Sequence, residues 1–575
     1  IKLTNHLLLH LKREEEKRKQ RSVEPDIEKS YSKRCVAFFE TAAPWVSTAR
    51  VRKPTCPSQV FLSCSVRVPW DGKMRSVLAC IASTLLILAQ GSSSSNITPY
   101  EVGNPRNFKP SDHVTQHWFM NKVDHFGTAK EGEVYAQRLF INLDHWKGDG
   151  YPILFYNGNE ADVTLYVNAT GLIWESAPKL HAAIIFAEHR YYGESKIHDN
   201  KDLEFLNHEQ ALADFANVLY SFQANHSAWN SRSIAIGGSY GGMLACFFRM
   251  QYPGLISGAI AASAPVLAFR GEGLDFYNDG GNAYWRVVTE TAGPDCEGWV
   301  REGFKLLLEG KRSPRLLQKL GNFCHEPQSF LDVALYVANA FDTMAMGNFP
   351  YPSSYLTGDA SVLLPAFPIK AACKAGAVKS DPVEALMAAT EVFANASKKE
   401  QCLDVPNTTE TGDRFSGPLW SHQYCSEQFP EEFYFAMTGT SDMFFDYPNS
   451  ADMVREACEK FFNLTPDETL VRRRYGNKKV LLNTVTNVVF SNGLADPWSS
   501  GSIRSFDGVL SVEQQKKQDL TIVNIDGGGH HVDLFFSHPG DTEQMKHARS
   551  VEFDAMRRWA QAPEHTVQQR IERLR

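Results

Sequence analysis

The spacing of apolar and polar positions divides the chain into stretches of different texture. Between about residues 114 and 265, short β-rich runs alternate with stretches of helical period. Tyr151 to Tyr156, Ala182 to Ala187 and Ser233 to Ile236 read as strands buried on both faces. Glu209 to Phe222 repeats its apolar positions at helical spacing. Strands alternating with helices predict a parallel α/β sheet. From 266 to 470 the helical patterns lengthen, most of the cysteines occur, and breaks such as Phe349-Pro350-Tyr351-Pro352 interrupt them. That stretch predicts an inserted, mainly helical cap. Strand character returns at Asn487 to Ser491 and Leu520 to Ile525, so the last part of the chain is expected to rejoin the sheet. No internal repeat is present.

Length fits this picture. At 575 residues the chain exceeds what one core usually organises, and the expected division is a catalytic layer from 108–265 and 471–565 around a cap of 266–470. The N-terminal stretch is set apart from both. Residues 1–73 carry a charged run from Lys12 to Arg21 and no sustained apolar period, and are read as a non-native or disordered upstream extension. Residues 74–92 follow Met74 with a basic start, an apolar run from Val77 to Ala89 and then small residues, the layout of a cleaved signal peptide. The run falls short of the roughly 20 apolar residues of a membrane span, so no span is expected after cleavage.

Glycosylation sequons at Asn96, Asn168, Asn225, Asn395, Asn407 and Asn463 also point to the secretory pathway, lysosomal or extracellular. Seven cysteines lie beyond Gly91, and an oxidising compartment pairs six of them. Cys246, in an apolar helical run, is the expected free thiol. A net charge of −7 and 22% charged residues give no sign of a nucleic-acid partner.

The chemistry is carried by Ser233-Ile-Ala-Ile-Gly-Gly-Ser-Tyr-Gly-Gly-Met. Gly237-Gly238-Ser239-Tyr240-Gly241 fits G-x-S-x-G between a strand and a helix, the turn that presents a serine nucleophile clear of the chain. Such a fold places an acid and then a histidine downstream. Asp496 follows the strand ending in Phe490-Ser-Asn-Gly, and His530 sits in Asp526-Gly-Gly-Gly-His-His after another strand. His531 is the rival base, and a metal held by His530, His531 and Asp533 lacks a further clustered ligand. No metal and no cofactor are therefore expected. The oxyanion needs two N–H donors: that of Tyr240, and one from the loop Asn157-Gly158-Asn159, at Gly158 or Asn159.

Taken together, Tyr156-Asn-Gly-Asn-Glu160, Phe186-Ala-Glu-His-Arg-Tyr-Tyr-Gly-Glu-Ser195, Glu209-Gln-Ala-Leu-Ala-Asp-Phe215, the Ser239 turn, Ser263-Ala-Pro-Val266, Phe490-Ser-Asn-Gly-Leu-Ala-Asp-Pro-Trp498 and Gly529-His-His-Val-Asp-Leu534 resemble one family. It is the serine peptidase family that includes lysosomal Pro-Xaa carboxypeptidase and dipeptidyl peptidase II, and the similarity runs from about Val114 to Trp559; one departure is a longer segment between Asp496 and His530, containing Ser511 to Asp519, expected as a surface loop. The resemblance implies an α/β-hydrolase fold with a helical cap, a triad of Ser239, Asp496 and His530, and cleavage after proline or alanine through an acyl-enzyme. It also implies disulfides Cys296–Cys373, Cys324–Cys402 and Cys425–Cys458. Asn159 and Asp442 would meet a free α-amino group, with Glu160 a further substrate contact.

A cysteine pair of the carboxypeptidase branch is missing, so release of N-terminal Xaa-Pro dipeptides is the first expectation and removal of a C-terminal residue after proline the alternative. Glu194 and the occurrence of Asn159 and Asp442 in both branches leave that choice open. An esterase, and a catalytically silent binding protein on the same fold, are the remaining readings. The expected partners are peptides with proline beside the scissile bond. Oligomeric state is not legible, a homodimer being one option.

Overall fold

The computed structural model describes residues 108–561, apart from 129, 272–282, 311–319, 322, 328, 360 and 406–416. The expected upstream extension, the signal peptide, Asn96 and Asn407 lie outside the described residues.

Eight strands form the central sheet: β1 Thr115–Lys122, β2 Val134–Asn142, β3 Ile153–Asn157, β4 Ala183–Ala187, β5 Ser233–Gly238, β6 Ile256–Ala262, β9 Val488–Gly493 and β10 Leu520–Ile525. Their order across the sheet is β1-β2-β4-β3-β5-β6-β9-β10. The β1–β2 and β2–β4 pairings are antiparallel, and every pairing from β4 to β10 is parallel. In β3, Ile153 and Phe155 enter one core while Leu154 and Tyr156 enter the other. Both faces are thus covered, which is why the strand reads as a continuous apolar run rather than an alternation.

Between β6 and β9 the described chain is largely helical, with Ala283–Ala292, Pro294–Glu309, Phe330–Met346, Pro368–Ala377, Pro382–Ala394, Gly417–Ser426 and Ala451–Phe462. The one ribbon described there pairs β7 Met437–Thr438 with β8 Asp446–Tyr447. The first five of these helices pack around a core that includes Val300, Phe304, Phe341 and Phe444, and the last two pack on each other in a smaller cluster with Cys425, Val454 and Cys458. Three disulfides tie the segment together: Cys296–Cys373, Cys324–Cys402 and Cys425–Cys458. Cys246 is free and buried, and burial raises its thiol pKa to about 12, which leaves it inert as a nucleophile.

The charged landmarks before the nucleophile hold the sheet edge to the helix beside it. Arg190 makes a two-pronged ion pair with Asp214 at 2.7 and 2.8 Å, both side chains fully buried. The Asp214 carboxylate also accepts from the Tyr135 hydroxyl and lies 2.7 Å from His125 Nε2. Glu188 is likewise buried, pairs with Arg138 at 2.5 Å and accepts from Ser195 Oγ. Each buried charge has an opposite partner and hydrogen bonds, the condition under which it is tolerated.

One expectation is corrected here. Ser511 to Asp519, expected as a surface loop, contains the helix Val512–Gln518, begun by a capping box in which Ser511 and Gln514 satisfy each other's backbone N–H groups. Of the sequon asparagines, Asn168 lies in the helix Val163–Ala169, is 7% exposed and donates through Nδ2 to Thr164 O. Asn225 and Asn463 are exposed and Asn395 is partly exposed.

Candidate functional site

At the carboxyl ends of the parallel strands lies a cavity of about 770 Å³, the place where α/β sheets bind ligands. Ser239, Tyr240, His530 and His531 line it from the sheet side, and Tyr284, Asp342, Trp420 and Phe435 from the helical segment.

Ser239 occupies a turn that only its surroundings can enforce. Its backbone sits at φ 59°, ψ −129°, a conformation costly for a residue with a Cβ. Small neighbours permit it. A Cβ on Gly237 would lie 2.1 Å from Gly241 O, and one on Gly241 would lie 2.2 Å from Asn159 Oδ1. The helix Tyr240–Gln251 starts on the next residue and directs its positive end at the nucleophile.

Histidine and acid come from two loops held together by the backbone. Ala495 N–H donates to Gly528 O at 2.9 Å, and His530 N–H donates to Met346 O at 2.8 Å, the end of the helix Phe330–Met346. His530 Nδ1 lies 2.6 Å from Asp496 Oδ2, and Asp496 is fully buried. The other carboxylate oxygen accepts from Trp498 N–H. Nδ1 therefore carries the imidazole proton and Nε2 is the basic nitrogen. Burial pushes the His530 pKa down, but the charge and hydrogen bond of Asp496, with further help from Glu160 and Asp342, outweigh it, and the net shift is upward. His531, by contrast, is driven well below the ordinary histidine value by burial and by the neighbouring His530. It is neutral, and its Nε2 lies 3.1 Å from the Tyr355 hydroxyl. Serine, imidazole and carboxylate in this order can run acyl transfer.

The remaining expected contacts separate. Tyr240, Asn159 and Glu160 line the cavity. Gly158 is corrected as an oxyanion donor: its N–H is spent on Ala187 O at 3.0 Å, and a Cβ there would lie 2.3 Å from the same oxygen, so the glycine serves close strand packing. Asn159, the alternative in the same loop, donates through Nδ2 to Gly238 O at 2.6 Å and accepts from Tyr156 Oη, which fixes the loop against the serine turn. Asp442 is fully buried and is not among the residues lining the cavity. Its carboxylate accepts from the backbone N–H groups of Thr438, Gly439 and Phe444.

Asp342 joins the site without any signal in the sequence. Its carboxyl lines the cavity, accepts from Tyr284 Oη at 2.8 Å, and has its pKa raised by burial to about 7. Burial also raises Glu160. Asp342 lies in an amphipathic helix with no motif around it, so only the folded geometry reveals it.

The sheet order and the serine, histidine and acid at one cavity define a serine hydrolase of α/β-hydrolase fold. The chain belongs to the serine carboxypeptidase S28 family, whose model matches residues 121–552, and it is thus a serine-type exopeptidase. Similar relatives include lysosomal Pro-X carboxypeptidase of Homo sapiens, 34% identical over 77% of this chain and 87% of the relative. Prolyl carboxy peptidase like protein 5 of Caenorhabditis elegans is 32% identical over 76% of this chain and 88% of the relative. Among solved structures, proline iminopeptidase of Mycobacterium smegmatis covers 74% of this chain and 96% of its own, at 12% identity and a TM-score of 0.30.

Proposed function

We propose that the chain removes the C-terminal residue from peptides whose penultimate residue is proline, with residues 266–470 as the cap over the site. The observation that carries this choice is the likeness, over most of both chains, to relatives named Pro-X carboxypeptidases. The bonding of Asp442 supports it, because a carboxylate saturated by backbone amides offers nothing to an N-terminal ammonium. In this reading Ser239 Oγ attacks the prolyl carbonyl while His530 Nε2 takes its proton, and Asp496 steadies the imidazolium. The N–H groups of Tyr240 and Asn159 face the oxyanion. The imidazolium then protonates the leaving amine, the last residue departs, and water cleaves the prolyl ester. The apolar wall of Met243, Trp498 and Tyr284 suits a proline ring. Three disulfides and the relatives' names support a lysosomal or extracellular setting.

A second reading, release of N-terminal Xaa-Pro dipeptides, has one observation in its favour. Glu160 and Asp342 are acids on the cavity wall, and no lysine or arginine is among the described residues lining it. Turnover of an N-blocked Xaa-Pro-Phe peptide against an unblocked Lys-Pro fluorogenic amide separates the two. The proposal expects faster release of phenylalanine from the blocked peptide; faster cleavage of the amide overturns it.

A further inference from the structure

Within Gly237-Gly238-Ser239-Tyr240-Gly241-Gly242 only Ser239 and Tyr240 carry side chains. The serine must stay free to react, so Tyr240 is the one side chain of the turn by which it can be held from outside, in addition to the backbone bonds at Gly238 O and Ser239 N–H. Its ring is buried and bonded on two sides: His189 Nε2 lies 2.9 Å from the hydroxyl, and Gln423 Nε2 donates to it at 3.0 Å. Gln423 belongs to the helix Gly417–Ser426, far along the chain. Its Oε1 accepts from Tyr192 Oη at 2.6 Å, and its Nε2 also donates to Glu427 Oε1 at 2.9 Å. One turn earlier, Trp420 packs edge-on against the Tyr240 ring with centroids 5.3 Å apart.

A single carbonyl fixes the direction of this chain of bonds. His189 Nδ1 lies 2.7 Å from Arg190 O, which can only accept, so Nδ1 carries the proton. Burial lowers the His189 pKa to about 4, which keeps the ring neutral and leaves Nε2 bare. The Tyr240 hydroxyl therefore gives its one proton to His189, and its oxygen is left to accept from Gln423. No alternative arrangement of protons satisfies every member.

We propose that Gln423 is a positioning residue for catalysis, by which the helix Gly417–Ser426 holds Tyr240 and so aims the Tyr240 N–H at the oxyanion. This rests on the reading of Tyr240 as an oxyanion donor given above. Interactions of this kind act on the transition state more than on the bound substrate, so their loss falls on kcat.

Two variants test it. Gln423→Leu removes both donor and acceptor and is expected to lower kcat roughly 10- to 100-fold with KM within about twofold. Gln423→Glu keeps the shape: a neutral carboxyl accepts from Tyr192 and donates to Tyr240, whereas an ionised one has no proton to give. It is expected to be near wild type at pH 5 and to lose kcat as that carboxyl ionises, a limb absent from the wild-type profile. The titratable groups facing position 423 are Tyr192, Tyr240 and Glu427, with His189 and His208 beyond them. Glu427 is raised to about 8 and His189 lowered to about 4 by burial, so both are neutral at pH 5, and burial holds His208 well below its ordinary value. The limb is therefore assigned with Q423E/E427Q, in which it must persist.

A wild-type pH profile in Gln423→Glu overturns the proposal, even where Gln423→Leu fails to fold. So does Gln423→Leu with unchanged kcat. If fluorophosphonate fails to label Ser239 in the wild-type protein, the enzymatic reading fails instead.

Discussion

His530 and Asp496 stand 34 residues apart in the sequence, yet His530 Nδ1 lies 2.6 Å from Asp496 Oδ2 with the carboxylate fully buried. The pair is assembled by backbone: the loop after β9 and the loop after β10 are joined by Ala495 N–H to Gly528 O. Gly493 allows the approach, since a Cβ there would lie 2.2 Å from Gly529 O. The carboxylate selects the imidazole tautomer and thereby places a lone pair on Nε2.

Asp496→Asn keeps the shape and loses the charge that fixes the tautomer. Its kcat is expected to fall by roughly 10³- to 10⁴-fold, with KM changed far less. Steady-state kinetics on a proline-containing substrate checks this, and a kcat within tenfold of wild type would remove Asp496 from its role.

Asp342 gives the site a pH dependence of known sign. Burial raises its pKa to about 7, so it is neutral in acid and anionic above neutrality. An anion in the cavity repels a substrate's C-terminal carboxylate. KM for a carboxypeptidase substrate is therefore expected to rise between about pH 6 and 8. In Asp342→Asn that rise should be largely lost. The same shift makes folding more stable in acid: the contribution of the neutral carboxyl is complete below the unfolded value near 3.8 and is lost as pH climbs through about 7. Thermal unfolding at pH 5 and pH 8 should show a larger drop for wild type than for the variant.

The Arg190–Asp214 pair predicts a purely structural loss. Asp214→Asn leaves a buried guanidinium without its counter-charge and is expected to cost roughly 3–5 kcal/mol of stability. Chemical denaturation measures the loss. The fraction that remains folded should turn over at the wild-type rate, because neither residue lines the cavity.

The sequence made the sheet legible where burial on both faces produced unbroken apolar runs. β10 was expected at Leu520 to Ile525 and spans those residues, and β3 was expected two residues early, at the tyrosine and proline that enter it. The serine turn was legible because a strand, small residues and a helix must flank it. What escaped has a common cause. Asp342 and Gln423 lie in helices whose local pattern is that of packing, and their partners Tyr284, Tyr192 and Tyr240 come from distant parts of the chain. The Gly158 assignment failed because a loop sequence does not show which of two successive N–H groups the neighbouring strand consumes. The helix Val512–Gln518 begins at Ser511 and Gln514, a capping pattern visible in the sequence where a loop is expected.

Every catalytic step proposed for this site requires Ser239 to be a nucleophile activated by His530. Wild-type protein treated with a fluorophosphonate and mapped by peptide mass spectrometry tests it most directly. The adduct is predicted on Ser239, to be absent in Ser239→Ala, and to form far more slowly in His530→Ala. An adduct on another residue, or labelling of Ser239 undiminished by loss of His530, would contradict it.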